Sequence, residues 1–141
     1  MLSQSAEYSL RALVCLAGSL DQPLTTDQIA NATQVPVGYL AKILGSLTRA
    51  GLVVSRRGVG GGYLLEKKAL ELDLLSIIHL VDPSRRIRSC PLNNPNHVTG
   101  LCPLHRRLDQ AIAAAEQALQ GTTIAEVLAH PSFNTSCDLL S

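Results

Sequence analysis

The feature that most constrains this chain is a series of short helices followed at once by a basic, glycine-rich segment. Apolar spacing and capping residues predict three helices before Gly51, over residues 3–18, 25–32 and 36–50. Two short apolar runs, 52–54 and 63–65, flank the segment RRGVGGG, which predicts a β-hairpin with a flexible, cationic tip. The sequence therefore predicts a mainly α fold that carries one small β-hairpin.

The order of helix, short break, helix and basic hairpin is typical of a winged helix-turn-helix, whose second helix enters the major groove of DNA. The first turn of that helix would bring three residues to base edges: Gly38, Tyr39 and Lys42. Arg57 at the hairpin tip suits a narrow minor groove, whereas Arg49 and Arg56 suit phosphates. The glycines lack the Gly-Lys-Ser/Thr sequence of a phosphate-cradling loop, and no catalytic motif is recognisable, so we expect no enzyme.

The rest of the chain predicts further helices separated by a loop. A short apolar helix begins at Asp73, an alanine-rich helix runs from Pro103 to Gln120, and a capping box of Thr123 and Glu126 starts a last helix. Aromatic residues make up 3% of the 141 residues and apolar residues 46%, which favours packed helices around one core. We expect three regions: a winged helix-turn-helix over 1–82, a cysteine-containing loop over 83–102, and a dimerisation helix with a C-terminal tail over 103–141.

The alanine-rich helix carries an apolar stripe at helical spacing, formed by Leu104, Leu108, Ile112, Ala115 and Leu119. Small residues on such a stripe allow two helices to approach closely, which favours a contact between two copies of the chain. The same pattern is also expected of a helix that packs only on its own domain. Both interpretations stand at this point.

Charge is segregated along the chain although the net charge is only +1. Residues 34–68 and 85–107 each carry a net charge of +5, and a local basic patch is sufficient for binding double-stranded DNA. A solvated basic face would show the same pattern. No uncharged apolar stretch approaches the roughly 18 residues of a membrane span, and the N-terminal segment lacks the basic start of a signal peptide. We therefore expect a cytoplasmic protein with no membrane span.

Four cysteines in such a chain are more typical of metal ligands, sensors or core thiols than of disulfides. Cys90 and Cys102 flank the proline-rich loop, and His105 follows Cys102 by one helical turn, so a thiolate and an imidazole can meet one metal. A helix N-terminus with nearby arginines would stabilise the thiolate. Three kinds of site fit: an iron–sulfur cluster, an oxidisable pair of thiols, or a zinc site of two cysteines and two histidines.

The hairpin segment also resembles a known family. Residues 50–65, AGLVVSRRGVGGGYLL, with Tyr8 and the run 10–13 in the first helix, are similar to the Rrf-type family of bacterial winged-helix transcription regulators. The resemblance covers nearly the whole chain. It implies a homodimer joined through the long helix near the C-terminus, which binds roughly palindromic operators. By position, Tyr39 and Arg57 match residues that the family uses on DNA.

The family also implies a cofactor. Three loop cysteines typically hold an iron–sulfur cluster, and the fourth ligand is a histidine at the position of His105 in IscR-like members. In NsrR-like members it is a carboxylate of the other subunit at the position of Glu7. Here Asn96 stands at the place of the middle cysteine, with His97 beside it. The implied site is a cluster, of the 2Fe–2S type, whose ligands are Cys90, Cys102 and His105 with Glu7 or His97.

Together these observations predict a dimeric transcription regulator, a repressor, whose affinity for DNA is set by the loop cluster. The signal would be redox state, nitric oxide or the supply of clusters. The alternative is a cluster-free regulator that uses thiol oxidation, zinc or a protein partner. Regulators of the partner-binding kind typically lack the loop cysteines, so Cys90 and Cys102 favour the first prediction.

Overall fold

The computed structural model describes residues 2–83, 86–89 and 100–131. Across these ranges it contains six α-helices: α1 (Gln4–Ala17), α2 (Thr26–Thr33), α3 (Val37–Arg49), α4 (Leu74–Val81), α5 (Pro103–Leu119) and α6 (Ile124–Ala129). One antiparallel hairpin joins β1 (Val53–Arg56) to β2 (Gly62–Leu65), and a 3-10 turn follows over Lys67–Leu70. The expected mainly α fold with a small β-hairpin is confirmed.

The helices begin where short-range capping predicts. Thr25 and Gln28 form a capping box at α2, in which the hydroxyl accepts from the Gln28 amide and the Gln28 side chain accepts from the Thr25 amide. Thr123 and Glu126 form the same pair of bonds at α6. Pro36 differs from its prediction by one position, because it is the N-cap of α3 and not a residue of the first turn.

The core surrounds α1 and α3. In α1 every residue from 12 to 17 is buried, and in α3 the apolar stripe of Leu40, Ile43, Leu44 and Leu47 is at most 4% exposed. These helices pack with α2, α4 and the base of the hairpin, which contributes Leu52 and Val53. The short helix α6 returns to α1 and buries Ile124 completely. The first 82 residues and α6 therefore share one core, which holds α3 rigidly from behind.

The hairpin is tied to the chain just before α2. The Tyr63 amide donates to the Leu24 carbonyl at 2.8 Å and the Leu24 amide donates to the Tyr63 carbonyl at 3.0 Å. A Cβ at Gly62 would lie 2.5 Å from the Leu24 oxygen, so only glycine permits this approach. Strand pairing extends to Arg56, two residues nearer the tip than predicted, which leaves a five-residue turn over 57–61.

The turn after helix α5 is joined to the start of α4. Asp73 caps α4 by accepting from the Ser76 amide at 2.7 Å and also accepts from the Gly121 amide at 3.1 Å. These hydrogen bonds, the one from Ser76 above all, hold the pKa of the Asp73 carboxyl below its usual value. The Leu74 amide donates to the Thr122 carbonyl at 2.8 Å. The turn after α5 is thus fixed to the start of α4.

The fold also bears on the membrane prediction. No helix in the described part of the chain is both long enough and apolar enough to cross a membrane.

Candidate nucleic-acid interface and sensor residues

The outward face of α3 carries small residues and two cations. Val37, Gly38, Lys42 and Arg49 are exposed, and a Cβ at Gly38 would meet nothing within 4 Å. Positions 38, 42, 45 and 49 recur at helical spacing, so they share one face opposite the buried leucines. Such a face allows another surface to approach the helix backbone closely.

The N-terminus of α3 is chemically unlike that of α2. Helix α2 has a capping box and Asp27 in its first turn, whereas the Pro36 cap of α3 offers no side-chain acceptor and the first turn has no acidic residue. The free amide groups and the helix dipole therefore present positive potential at the start of α3. No ion pair in the described ranges includes Lys42 or Arg49, so their charge is also available to an anion.

The hairpin tip exposes the two other predicted cations. Arg56 and Arg57 are exposed, and the turn after them closes through a 3.0 Å bond from the Gly61 amide to the Gly58 carbonyl. A Cβ at Gly61 would lie 2.4 Å from the Arg56 oxygen, which explains a glycine at this position. Neither arginine takes part in an ion pair within the described chain. The wing therefore carries two unneutralised guanidinium groups.

Tyr39 is less exposed than the helical pattern suggests. Its side chain is half-buried against α1, where its hydroxyl lies 2.8 Å from Ser5 Oγ and its ring meets Tyr8 edge-to-face at 5.4 Å. The sequence prediction treated Tyr39 only as a DNA contact and missed Ser5. These residues are 34 positions apart, so no local pattern pairs them.

Arg11 is a second residue whose role the sequence did not reveal. It lies 5.3 Å from the Tyr8 ring centroid, donates to Glu7 Oε1 at 2.7 Å, and donates through Nη1 to the Thr33 carbonyl at 3.0 Å. Thr33 is the last residue of α2, directly before Gln34, which has a left-handed φ of 58°. Arg11 therefore stabilises the turn between α2 and α3 that sets the angle between these helices.

The sensor prediction centres on a thiol–imidazole contact. Cys102 is the N-cap of α5, and its Sγ lies 2.9 Å from His105 Nδ1 and 3.5 Å from the His105 amide. Both residues are half-buried. The predicted spacing of one helical turn thus brings a sulfur and an imidazole nitrogen together. These two atom types suit a soft or borderline metal ion.

The other predicted ligands do not join them in the described chain. Glu7 is on α1, where it pairs with Arg11 and lines an apolar groove of about 450 Å³. Cys90 and His97 lie outside the described residues, as does Asn96. Among residues 2–83, 86–89 and 100–131, no group of three or more His, Cys, Asp or Glu residues could hold a metal ion. Of the three predicted ligands in the described chain, the structure therefore brings two together, Cys102 and His105. Cys15 is buried.

An arginine–aspartate pair fixes the segment before Cys90 onto α5. Arg86 donates to both carboxylate oxygens of Asp109, at 2.7 and 2.8 Å, and the Ile87 amide donates to the same side chain at 2.9 Å. The Arg86 bond is the main cause of a lowered pKa at Asp109, and the same bond raises the pKa of Arg86. Glu116 lies 3.9 Å from Arg86 and 4.0 Å from His79 of α4.

The helix pair, the wing and their unneutralised cations define a winged helix-turn-helix protein of the DNA-binding class. The family model of Rrf2, described as "Iron-dependent Transcriptional regulator", matches residues 2–130. The chain belongs to this family, which confirms the resemblance noted from the hairpin sequence. It is therefore a DNA-binding transcription regulator and not an enzyme.

Similar proteins agree with this assignment. The HTH-type transcriptional repressor NsrR of Streptomyces coelicolor is 30% identical over 133 residues, which cover 93% of this chain and 90% of the relative. The structure of T. potens IscR superposes with a TM-score of 0.69 at 23% identity and covers 91% of this chain and 85% of that chain. Staphylococcus aureus CymR in its oxidized form gives a TM-score of 0.69 at 26% identity, with coverages of 92% and 97%.

Proposed function

We propose that this chain is a dimeric repressor that binds operator DNA through α3 and the wing, with its affinity set at Cys102 and His105. The observation that carries the DNA interface is the uncapped, acid-free N-terminus of α3 beside the unpaired Lys42. In this proposal Gly38, Tyr39 and Lys42 line the groove contact, Arg57 enters the minor groove, and Arg49 and Arg56 bind phosphates. The family and the name of the NsrR relative support repression as the mode of action.

Dimerisation is supported by α5. No residue of this helix is buried against the described chain, and Leu104 and Leu108 are 63% and 45% exposed. Two leucines one turn apart at this exposure favour burial against a second copy. A two-fold dimer would present two α3 helices to half-sites about 34 Å apart, which is why we expect a roughly palindromic operator.

The description of the family as iron-dependent supports a metal-based signal. Cys102 and His105 fit two ligand positions of an iron–sulfur cluster. Cys90 would be the third ligand, and either His97 or Glu7 of a second copy would be the fourth. A 2Fe–2S cluster with histidine ligation supplies one-electron redox chemistry at a raised potential. Cys102 also caps α5, so any change at its sulfur acts at the start of the proposed dimer helix. That position couples the sensor to the spacing of the two α3 helices.

Thiol oxidation without metal is a second candidate, and a specific contact favours it. An imidazole nitrogen 2.9 Å from Cys102 Sγ can take the thiol proton, and the thiolate is the form that oxidants attack. A CymR neighbour has been crystallised in an oxidized form. In either case the protein acts on DNA, so we expect it in the cytoplasm.

The DNA interface is tested by the substitution Arg57→Ala. Loss of one wing guanidinium should weaken binding to duplex DNA about tenfold and relax the preference at the minor-groove position. Fluorescence anisotropy at fixed salt measures both. Lys67→Ala, which removes an exposed cation from the 3-10 turn, is the matched control and should bind nearly as the wild type does. Equal affinities for Arg57→Ala and the wild type would remove the wing from the interface.

The sensor is tested by anaerobic isolation with a visible spectrum and analysis of iron, sulfide and zinc. The proposal expects iron and sulfide with visible charge-transfer bands, and their loss in Cys102→Ala. Cys15→Ala removes a thiol that is only 5% exposed and should leave the metal content unchanged. A colourless protein that also resists reconstitution would favour the thiol candidate, and zinc alone would favour a zinc switch on the same scaffold.

A further inference from the structure

A pocket of about 290 Å³ lies beside α3, between that helix, α1 and the end of α4. Five of its lining residues carry a hydroxyl or an ammonium group: Ser5, Ser9, Tyr39, Lys42 and Ser46. The others are Ile43 and Val81, so no carboxylate among the described residues lines it. Sites for drug-sized ligands start at about 300 Å³, so the pocket suits a small polar group.

Two hydroxyl hydrogens in this pocket have no described acceptor. A hydroxyl has one hydrogen to donate. Ser5 Oγ and Tyr39 Oη lie 2.8 Å apart, so one donates to the other and the second keeps its hydrogen. Ser46 Oγ accepts from Arg49 Nη2 at 3.1 Å, and no described acceptor takes its own hydrogen. Two O–H donors therefore remain for a ligand.

One lysine supplies positive charge beside the pocket. Lys42 is exposed and belongs to no described ion pair. Ser5 is in the first turn of the 14-residue helix α1, which is the positive end of the helix dipole. Ser3 caps the Ala6 amide there, and Glu7 in the same turn is paired with Arg11. Ser9, only 1% exposed, is held by a 2.7 Å bond from its hydroxyl to the Ser5 carbonyl. Asp82, next after the lining residue Val81, accepts from the Ser3 hydroxyl and is not part of the lining.

We propose that this pocket binds one phosphate group of the DNA backbone, with Lys42, Ser46 and the Ser5–Tyr39 pair as its donors. The inference rests on the proposed DNA-binding function and changes the role of two of its residues. Lys42 and Tyr39 then bind the DNA backbone at the side of α3, and the exposed face at Gly38 contacts the bases. Phosphate contacts position a protein without reading sequence, so the pocket sets the entry angle of α3.

Binding to two duplexes of unrelated sequence, measured over a salt series, tests this. Ser46→Ala and Ser5→Ala should each weaken binding about three- to tenfold on both duplexes. Lys42→Gln should lower the slope of log K against log salt by about 0.9, the value for one phosphate contact. Ser5 is on α1, so its variant is independent of Arg49, which Ser46 also contacts. Thr48→Ala removes a hydroxyl from α3 outside the pocket and should bind as the wild type does.

Three outcomes would overturn the assignment, each for a distinct reason. A wild type that binds neither duplex would remove the proposed function and this inference with it. Normal affinity and salt slope in all three pocket variants, with Arg57→Ala still weakened, would remove the pocket assignment alone. Inorganic phosphate is the third arm: its binding to the wild type, lost in Lys42→Gln while DNA binding stays unchanged, would assign the pocket to a small anion.

Discussion

Helices α3 and α5 carry similar apolar stripes, but the two stripes differ in how far the rest of the chain covers them. In α3, Leu40, Ile43, Leu44 and Leu47 are at most 4% exposed, because α1, α2 and β1 surround the helix. In α5 no residue is buried against the described chain, and Leu104 is 63% exposed. The same spacing of apolar residues therefore belongs to an intramolecular core in one helix and favours an intermolecular contact in the other.

The difference has a consequence for function. The core behind α3 is complete, so its exposed residues are the ones available for the proposed contact with DNA. In α5 the first two leucines of the stripe, Leu104 and Leu108, are exposed, whereas Ile112, Ala115 and Leu119 are half-buried. The exposed leucines are the surface that a second copy would cover in the proposed dimer. In the proposal the position of α5 changes with the state of Cys102, the N-cap directly before its first residue, so α5 is the suitable element for regulation.

Shortening one leucine in each helix gives the largest expected contrast. Leu44→Ala should lower the free energy of unfolding by about 2–5 kcal/mol, because it leaves a cavity in the core. Leu108→Ala should lower it by less than about 0.5 kcal/mol in dilute protein, where the side chain is exposed. Urea unfolding at several protein concentrations measures both.

The expected signature is concentration dependence. The loss in Leu44→Ala should be the same at every protein concentration, whereas that in Leu108→Ala should grow as the wild type associates. Equal, concentration-independent losses in the two variants would mean that α5 is covered within its own chain.

A smaller effect should separate the attachment of α5 from its apolar stripe. The pKa of Asp109 is held low mainly by Arg86, so this carboxylate stabilises the fold above its unfolded-state pKa of about 3.9. That stability is lost as the pH falls through the lowered pKa of the folded state. The melting temperature of the wild type should therefore fall below about pH 4, and Asp109→Asn should lose part of this dependence.

The control for this prediction is Asp21→Asn, because Asp21 is exposed and takes part in no described ion pair. It should keep the acid dependence of the wild type. A melting profile for Asp109→Asn that matches the wild type from pH 5 to pH 2.5 would show that the Arg86 pair adds nothing to stability in solution.

The parts of the fold that the sequence predicted are those governed by neighbours in the chain. Thr25 with Gln28, and Thr123 with Glu126, are three residues apart, so their capping boxes are visible as local patterns. The buried stripe of α3 follows from helical spacing alone. The wing sequence was equally informative, because Gly61 and Gly62 relieve contacts that a Cβ would make, and Gly58 and Gly60 have positive φ.

The features that the sequence did not reveal depend on distant residues. Ser5 meets Tyr39 across 34 positions, and Arg86 meets Asp109 across 23. Arg11 donates to the Thr33 carbonyl across 22 positions, so no local pattern reveals this bond. For the sensor, the local pair Cys102 and His105 is one helical turn apart, and its contact follows from that spacing. Tertiary packing decides the other contacts, and no pattern within one helix contains that information.

In the proposed dimer, α5 joins two copies of the chain so that both α3 helices bind one duplex. Sedimentation equilibrium of the wild type and Leu108→Glu, each alone and with a duplex DNA, tests it most directly. Gln110→Glu places the same charge on an exposed position of α5 outside the apolar stripe. We expect dimers for the wild type and Gln110→Glu, and a monomeric Leu108→Glu with at least about a hundredfold weaker DNA binding. A Leu108→Glu protein that remains dimeric and binds DNA as the wild type does would contradict it.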